Sequence, residues 1–291
     1  MMSRRSLLSL APLSALAAAC SPLGALNGLN GLTPGDGGVT RLVDGAAFGA
    51  DARQRLDVWA PKGVRGGAVG PLPVIVFFYG GSWNSGIRDG YGFVARALAA
   101  RGFVVVVPDY RLVPQVRWPA FVEDGAAALR WVQANIAGHG GDPARIAVMG
   151  HSAGAHIALL LALDRRWGVA DGIRAAVGLA GPADFLPFVA GGVAEAALGN
   201  APDLADTQPI HFARADAPPL LLLHGESDTT VLPRNSRRLA NAVSDLGGAA
   251  EARVYPDLGH IGILLALSKP FRGRAPVLTD ASNFLLAQLA A

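Results

Sequence analysis

The chain has 291 residues, of which 51% are hydrophobic and 16% are charged, so it is long enough to bury a sizeable core within one domain. Its formal charge is +3, from 25 basic and 22 acidic residues. A balance this close to neutral does not favour a nucleic-acid partner, because phosphate binding requires a concentrated basic face. Cys20 is the single cysteine, which excludes an internal disulfide.

The first twenty residues differ in composition from the rest of the chain. Arg4 and Arg5 precede an apolar stretch of signal-peptide length that ends in small residues. This pattern predicts an export signal over residues 1–20, and the paired arginines also resemble a twin-arginine signal. The stretch is interrupted by Pro12 and is too short to cross a bilayer, so a permanent transmembrane anchor is the weaker interpretation.

Cys20 closes this apolar segment. The alanines from Ala17 to Ala19 together with Cys20 resemble a bacterial lipobox, although Ala17 stands where that motif most often has leucine. We therefore predict that Cys20 is lipidated, with plain cleavage of a secretory leader as the alternative. The Gly- and Asn-rich residues 21–38 would form a flexible tether, and the folded domain would extend over 39–291. The protein is expected to be exported, either periplasmic or held at a membrane by its lipid.

From residue 55 onward, short apolar runs alternate with longer amphipathic ones. Residues 56–59 alternate as a half-exposed edge strand does. Continuous apolar runs predict buried central strands over 74–79, 103–107, 146–149 and 220–223. Helical spacing of apolar residues predicts helices over 91–100, 119–137, 155–163 and 235–246. This order is typical of an α/β fold with a mainly parallel sheet and helices on both faces.

Residues 181–217 break the rhythm of strands and helices. They contain Gly191, Gly192 and several prolines. We predict a small cap insertion here, above the carboxyl edge of the sheet, where open α/β sheets bind their ligands.

The strongest functional motif is Gly150-His151-Ser152-Ala153-Gly154, a G-x-S-x-G sequence between a predicted strand and a predicted helix. In this context the motif predicts a nucleophilic Ser152 on a tight turn, because a side chain at either flanking glycine would collide with the neighbouring strand or helix. The structural alternative is an ordinary serine in a glycine-rich turn.

A serine hydroxyl needs a histidine base and an acid that orients this base, in the chain order serine, acid, histidine. Two later histidines lie near strand ends, His224 and His260. Asp228 lies in the loop after His224, so Asp228 and His260 satisfy the order. Using His224 as the base would place the base before its acid. Glu226 competes with Asp228 for the role of the acid, but it is more simply a solvated loop carboxylate.

The other four histidines receive no role in proton transfer. His151 and His156 flank the nucleophile, where a lone histidine is more often structural, and His139 and His211 lie in predicted loops. No pair of histidines has the spacing of a metal site, so zinc hydrolysis fits poorly. We predict no metal and no cofactor.

A serine nucleophile also requires N–H donors that stabilise the oxyanion formed during the reaction. The residue after the nucleophile, Ala153, supplies one of them. A second is expected from the loop after the strand that ends at Tyr79, where Gly80 and Gly81 let the backbone turn its amides inward. Taken alone, two glycines after a strand indicate only a turn.

From about residue 56 to residue 263 the sequence resembles the α/β-hydrolase esterases related to hormone-sensitive lipase, the bacterial feruloyl and acetyl-xylan esterases, and the kynurenine formamidases. The resemblance is carried by Tyr79-Gly80-Gly81-Ser82-Trp83, Asp109-Tyr110-Arg111-Leu112, the segment from Gly150 to His156, His224-Gly225-Glu226-Ser227-Asp228 and Gly259-His260.

This resemblance implies a catalytic triad and an oxyanion hole. The implied triad is Ser152, Asp228 and His260, and the implied oxyanion-hole donors are Gly81, Ser82 and Ala153. The oxyanion loop of these esterases usually opens with histidine, where this chain has Tyr79, so the residue pattern leaves open which main-chain amide points into the site. Asp109 and Arg111 are expected to be structural.

These features predict a serine carboxylesterase that hydrolyses short-acyl or aromatic esters, with a small-molecule ester as its partner. The export signal favours this prediction over an arylformamidase-type amide hydrolase, because tryptophan metabolism in the cytoplasm does not require export. A non-catalytic binding lipoprotein on the same fold is the second alternative. The intact serine, aspartate and histidine argue against it.

Overall fold

The computed structural model describes residues 36–64 and 70–290. The predicted export signal, Cys20 and residues 21–35 of the predicted tether lie outside this part of the chain. Among the residues that are described, no helix combines the length and the apolar character needed to cross a membrane.

The last residues of the predicted tether are described and lie against the domain. The carboxylate of Asp36 accepts two hydrogen bonds from the guanidinium of Arg272, over 2.8 and 2.9 Å. The structure therefore places the start of the folded domain no later than Asp36, three residues before the predicted boundary.

The domain is built on one eight-stranded sheet. Its strands are β1 (Val39–Ala47), β2 (Arg55–Pro61), β3 (Leu72–Phe78), β4 (Val104–Pro108), β5 (Gly141–His151), β6 (Ile173–Leu179), β7 (Leu220–Gly225) and β8 (Ala250–Tyr255). They are arranged in the order β1-β2-β4-β3-β5-β6-β7-β8. The β1/β2 and β2/β4 pairs are antiparallel, and all other pairs are parallel. This confirms the predicted α/β class with a mainly parallel sheet.

Seven α-helices accompany the sheet in the described part of the chain. They are α1 (Gly92–Ala99), α2 (Ala120–Asn135), α3 (Ala153–Leu163), α4 (Val193–Leu198), α5 (Arg234–Asp245), α6 (His260–Leu265) and α7 (Val277–Gln288). Helix α3 is buried along its whole length, which explains its almost uninterrupted apolar sequence. It begins at Ala153, two residues earlier than predicted, because the turn at Ser152 leads directly into it.

The prediction that residues 56–59 form an edge strand is wrong. Strand β1 pairs with β2 on its outer side, so β2 lies inside the sheet. The polar residue that produced the alternating pattern, Asp57, is only 1% exposed. Its carboxylate accepts hydrogen bonds from Arg41 and Arg88, over 2.6 and 2.8 Å, so the pattern marks a buried ion pair and not a solvated face.

Residues 181–217, where a small cap insertion is predicted, join β6 to β7 and contain the short helix α4. Several hydrogen bonds tie this segment to the domain. The side chain of Asn235 accepts from the main-chain N–H groups of Ala183 and Asp184, and Arg117 donates to the carbonyls of Glu195 and Ala196. The insertion is therefore a fixed part of the site's surroundings.

Candidate active site

The predicted nucleophile, acid and base follow three strands whose carboxyl ends lie along one edge of the sheet. Ser152 follows β5, Asp228 follows β7, and His260 begins α6 after β8. Because β5 to β8 are parallel neighbours, their carboxyl ends lie along one edge of the sheet. The structure brings the three side chains together at this edge.

Ser152 lies on a strained turn. Its φ of 54° and ψ of −124° are unusual for a residue other than glycine. A Cβ atom on Gly150 would overlap the main chain of Gly154, and a Cβ atom on Gly154 would overlap the carbonyl oxygen of Phe78. The two glycines of the motif are therefore required by the close approach of strand, turn and helix.

A continuous hydrogen-bonded line joins the three side chains. Nε2 of His260 lies 2.8 Å from Oγ of Ser152, and Nδ1 of His260 lies 2.8 Å from Oδ2 of Asp228. Burial raises the pKa of Asp228, but the hydrogen bonds that its carboxylate accepts, chiefly from His224 and His260, hold it well below its usual range. The ionised Asp228 favours a proton on Nδ1 of His260. Nε2 is then free to accept the proton of Ser152.

His224 lies beside the acid and away from the serine. It is fully buried, its Nε2–H donates to the carbonyl of Val231 over 2.8 Å, and the same nitrogen lies 3.2 Å from Oδ2 of Asp228. Nδ1 of His224 is bonded to the hydroxyl of Ser236 over 2.7 Å. His224 therefore supports the loop that carries the acid. The competing carboxylate, Glu226, is exposed to solvent.

His151 and His156, the histidines that flank the nucleophile, are buried and structural. His151 donates from Nε2 to the main-chain carbonyl of His260 over 2.9 Å, and His156 donates in the same way to Thr207 over 2.7 Å. Burial, together with the nearby His260, lowers the pKa of His151 to about 3. Burial likewise lowers the pKa of His156 to about 4. Both rings are neutral near pH 7.

His139 stacks on Trp131, with ring centroids 6.0 Å apart, and His211 is exposed. Within residues 36–64 and 70–290, no three His, Cys, Asp or Glu side chains are grouped so that they could hold a metal ion.

The loop after β3 has a strained backbone next to the nucleophile. Gly81, Ser82 and Trp83 have successive positive φ values of 138°, 51° and 57°. A Cβ atom on Gly80 would lie 3.1 Å from Cβ of Ser152, which shows how closely this loop approaches the serine. Strain of this kind persists where the surrounding structure imposes it, and it is concentrated at functional sites.

Ala153 directly follows Ser152 in the chain. It is the first residue of α3, so its main-chain N–H has no acceptor within the helix. The structure therefore brings all three predicted donors, Gly81, Ser82 and Ala153, to the surroundings of Ser152.

Tyr79, which replaces the usual histidine of the loop, is turned into the domain. Its ring stacks between Tyr91 and Tyr110, at centroid distances of 5.0 and 4.8 Å. Its hydroxyl donates to Asp109 over 2.8 Å and accepts from Arg53 over 3.0 Å. Burial and the charge of Asp109 raise the pKa of Tyr79, so the phenol remains neutral. Tyr79 supports the loop and does not enter the reaction site.

Asp109 and Arg111 also have structural positions. Asp109 accepts from Arg88 over 2.7 Å, and Arg111 pairs with the buried carboxylate of Asp124 over 2.8 Å. These ion pairs fix the segments that support the loop after β3.

A cavity of about 480 Å³ opens beside Ser152. Its lining is mainly apolar and comes from the loop after β3, the insertion and the segment after Asp228; it includes Trp83, Phe185, Leu186, Phe188, Val193 and Val231. Arg234 is the only charged side chain among the described residues of this lining. A cavity of this size and character can enclose the apolar part of a small ligand. The sequence predicts the insertion but not which of its side chains face the serine.

Comparison with known proteins gives consistent similarities. A family model described as BD-FAE matches residues 56–243. Esterase LipC of Mycobacterium tuberculosis is 34% identical over 65% of this chain and 52% of its own length. Esterase LipQ of the same organism is 31% identical over 82% of this chain and 60% of its own length. The chain thus spans only about half to three-fifths of the length of these two relatives.

Solved structures share the fold at low sequence identity. A truncated carbohydrate esterase from gut microbiota has a TM-score of 0.75 and 22% identity, covering 89% of this chain and 99% of that chain. An inhibited esterase B from Lactobacillus rhamnosis has a TM-score of 0.77 and 20% identity, covering 95% and 96% of the two chains. These similarities show the fold that the chain shares with the two structures.

Proposed function

The chain belongs to the BD-FAE family of α/β-hydrolase fold proteins, and on this basis we propose that it is a serine carboxylesterase. The observation that carries the proposal is the hydrogen-bonded line from Asp228 through His260 to the hydroxyl of Ser152, at the mouth of an apolar cavity. The names of LipC and LipQ, both esterases, support the same class of reaction.

In the proposed mechanism, Oγ of Ser152 attacks the ester carbonyl while Nε2 of His260 takes the hydroxyl proton. Asp228 accepts the hydrogen bond from Nδ1 and stabilises the imidazolium that forms. The negative charge on the carbonyl oxygen is stabilised by the main-chain N–H groups of Gly81, Ser82 and Ala153. The alcohol leaves with the proton from His260, which produces an acyl-enzyme on Ser152.

The second half of the reaction repeats these steps with water. His260 removes a proton from a water molecule as it attacks the acyl carbonyl, and it then returns the proton to Oγ of Ser152 as the carboxylic acid leaves. In this mechanism His260 carries the proton in every transfer.

The cavity supports short-acyl or aromatic esters as the substrate class. Trp83, Phe185 and Phe188 give it aromatic surface, and Arg234 stands at its exposed edge. Burying an apolar group of the substrate there contributes about 25 cal/mol for each Å² removed from water.

The proposal is tested with a chromogenic acetate ester, with and without a serine-directed phosphonate. We expect hydrolysis, its loss on treatment, and a single phosphonate adduct that peptide mass spectrometry places on Ser152. A chelator should leave the rate unchanged. An adduct on another residue would overturn the site, and faster hydrolysis of an N-formyl arylamine than of the ester would favour the formamidase alternative. Absence of both hydrolysis and adduct would indicate a non-catalytic binding protein.

A further inference from the structure

Two buried tyrosines hold the main chain of the loop after β3. The hydroxyl of Tyr110 donates to the carbonyl oxygen of Tyr79 over 2.9 Å. The hydroxyl of Tyr91 donates to the next carbonyl oxygen, that of Gly80, over 3.0 Å. Two successive peptide groups of this loop are thus each tied to a phenol in the core.

The second of these ties determines the direction of an N–H group. In a trans peptide, the carbonyl of one residue and the N–H of the next lie in one plane and point in opposite directions. The peptide bond between Gly80 and Gly81 is trans. Because the Gly80 carbonyl points to the buried hydroxyl of Tyr91, the N–H of Gly81 points the opposite way, in a loop that closely approaches Ser152.

The next peptide group, between Gly81 and Ser82, is also fixed through its carbonyl oxygen, but by other donors. The carbonyl of Gly81 accepts hydrogen bonds from the main-chain N–H groups of Asn84 and Ser85, both over 3.0 Å, and from the hydroxyl of Ser85 over 3.0 Å. The N–H of Ser82 therefore points away from the atoms that bind the Gly81 carbonyl. Three donors fix this group, whereas Tyr91 supplies the only hydrogen bond found for the Gly80 carbonyl among the described residues.

A peptide group between two glycines needs such a tie. Glycine adopts positive and negative φ with similar ease, so the group between Gly80 and Gly81 can reverse at little conformational cost. A reversed group would present a carbonyl oxygen, in place of an N–H, to the developing negative charge. The hydroxyl of Tyr91 opposes this reversal.

The surroundings of Tyr91 suit a permanent donor. The residue is only 2% exposed, and its ring stacks on Tyr79 and Phe93 at centroid distances of 5.0 and 6.5 Å. Burial also raises the pKa of Tyr91, so the phenol keeps its proton throughout the range in which an esterase works.

We propose that Tyr91 is a positioning residue for the oxyanion hole, whose hydroxyl fixes the Gly80–Gly81 peptide so that the N–H of Gly81 faces the oxyanion. The inference rests on the proposed esterase function. It assigns a role in the chemistry to a residue that touches neither the substrate nor the triad.

The test compares Tyr91→Phe with Tyr110→Phe. Each substitution deletes one hydroxyl from the same stack of rings and releases one loop carbonyl, so the two should lower the melting temperature by similar amounts. Only Tyr91→Phe frees the peptide that carries the N–H of Gly81. We expect its kcat to fall by about 10- to 100-fold with KM within about 3-fold, because the lost stabilisation belongs to the transition state. Tyr110→Phe should keep kcat within about 3-fold.

A boronic acid that forms a tetrahedral adduct on Ser152 gives a second readout. Its affinity should fall in Tyr91→Phe by the same factor as kcat and should hold in Tyr110→Phe. In the protein without substitutions, formation of the boronic acid adduct should shift the NMR resonance of the Gly81 amide proton. This measurement does not depend on the folding of any variant.

Each outcome has a definite meaning. Equal losses of kcat in the two variants, an unchanged kcat in Tyr91→Phe, or an unmoved Gly81 resonance would overturn the positioning role while the esterase function stands. An unmodified protein that neither hydrolyses esters nor reacts with the phosphonate would overturn both.

Discussion

The side chain of His151 donates from Nε2 to the main-chain carbonyl of His260 over 2.9 Å, so the residue before Ser152 holds the backbone of His260. The two imidazole rings lie 4.9 Å apart. This hydrogen bond joins the end of β5 to the start of α6 independently of the contact between Ser152 and His260. The protein scaffold therefore helps to set the separation of Ser152 and His260.

Replacing Ser152 with alanine should lower ester turnover by at least about 10⁴-fold, because it removes the nucleophile without disturbing the turn that carries it. The rate is measured with the chromogenic acetate, and the fold by circular dichroism and thermal melting. Ser227→Ala, in the exposed part of the acid loop, is the matched control and should retain its activity. A Ser152→Ala protein with nearly full activity would contradict the proposed mechanism.

Asp228→Asn should lower kcat by roughly 10³- to 10⁴-fold, because the amide would favour the wrong tautomer of His260. Glu226→Gln, a change of the same kind in the same loop, should have little effect because Glu226 is exposed. Steady-state kinetics of the two variants decide between the carboxylates. An exchange of the two results would mean that the acid has been assigned to the wrong residue.

The rate should fall as the pH is lowered, because the proposed mechanism requires a neutral imidazole on His260 to accept the proton of Ser152. Two neighbouring groups keep their charge states over the same pH range. The pKa of Asp228 is held below its usual range, and the pKa of His151 is about 3. The acid side of a kcat/KM profile should therefore show a single ionisation. A fall that requires two protons, or a flat profile, would argue against this assignment of charges.

The free energy of unfolding should also fall in acid. Burial lowers the pKa of His151 from 6.5 to about 3 and that of His156 from 6.5 to about 4. The unfolded chain therefore binds more protons between pH 6.5 and these values, and each histidine removes up to about 1.4 kcal/mol per pH unit there. Well above pH 6.5 both are neutral in both states and contribute no slope.

Denaturant titrations at several pH values measure this slope. The side-chain amide in His156→Gln can still donate to Thr207. This variant should reduce the slope of the unfolding free energy by up to about 1.4 kcal/mol per pH unit, which corresponds to one proton. A slope identical to that of the unmodified protein would show that His156 is charged in the folded state.

We propose that the chain is exported and anchored through a lipid on Cys20. Cys20→Ser should then accumulate as an uncleaved precursor, because the lipidated cysteine is the site of processing. A chain that begins at Thr33 should be soluble and fully active, since it keeps Asp36 and its ion pair with Arg272. Mass spectrometry of the mature N-terminus distinguishes an acylated Cys20 from the unmodified terminus that simple periplasmic secretion would give.

The strands that continuous apolar runs predict are those buried on both faces, whereas β2 is predicted from an alternating pattern. Parallel strands covered on both sides become continuous apolar runs, and this made β3, β4, β5 and β7 visible. Strand β6 was not predicted because its sequence contains small residues. A Cβ atom on Gly178 would lie 3.1 Å from the side chain of Leu222 and 3.4 Å from that of Leu159. Tight packing therefore favours a small residue here, and small residues give β6 a weaker hydrophobic pattern than its neighbours. Strand β8, at the edge of the sheet, contains Glu251 and Arg253.

The sequence signal for the candidate site is local only in part. The G-x-S-x-G turn is recognised from neighbouring residues, whereas Asp228 and His260 are chosen by their order along the chain. The supporting contacts cannot be recognised in either way, because they join distant positions: His151 and His260 are separated by 109 residues, and His156 and Thr207 by 51. The orientation of the Gly80–Gly81 peptide also depends on three-dimensional contacts, since the sequence around two glycines permits either direction.

The long separation between nucleophile and base has a consequence for synthesis on the ribosome. His260 follows Ser152 by 108 residues, and β6, β7, Asp228 and β8 are all translated in between. At a translation rate of about 5–20 residues per second, roughly 5 to 20 s separate the synthesis of Ser152 from that of His260. On the proposed mechanism, a nascent or prematurely terminated chain that ends before His260 lacks the base and cannot hydrolyse an ester, even when all eight strands have been translated.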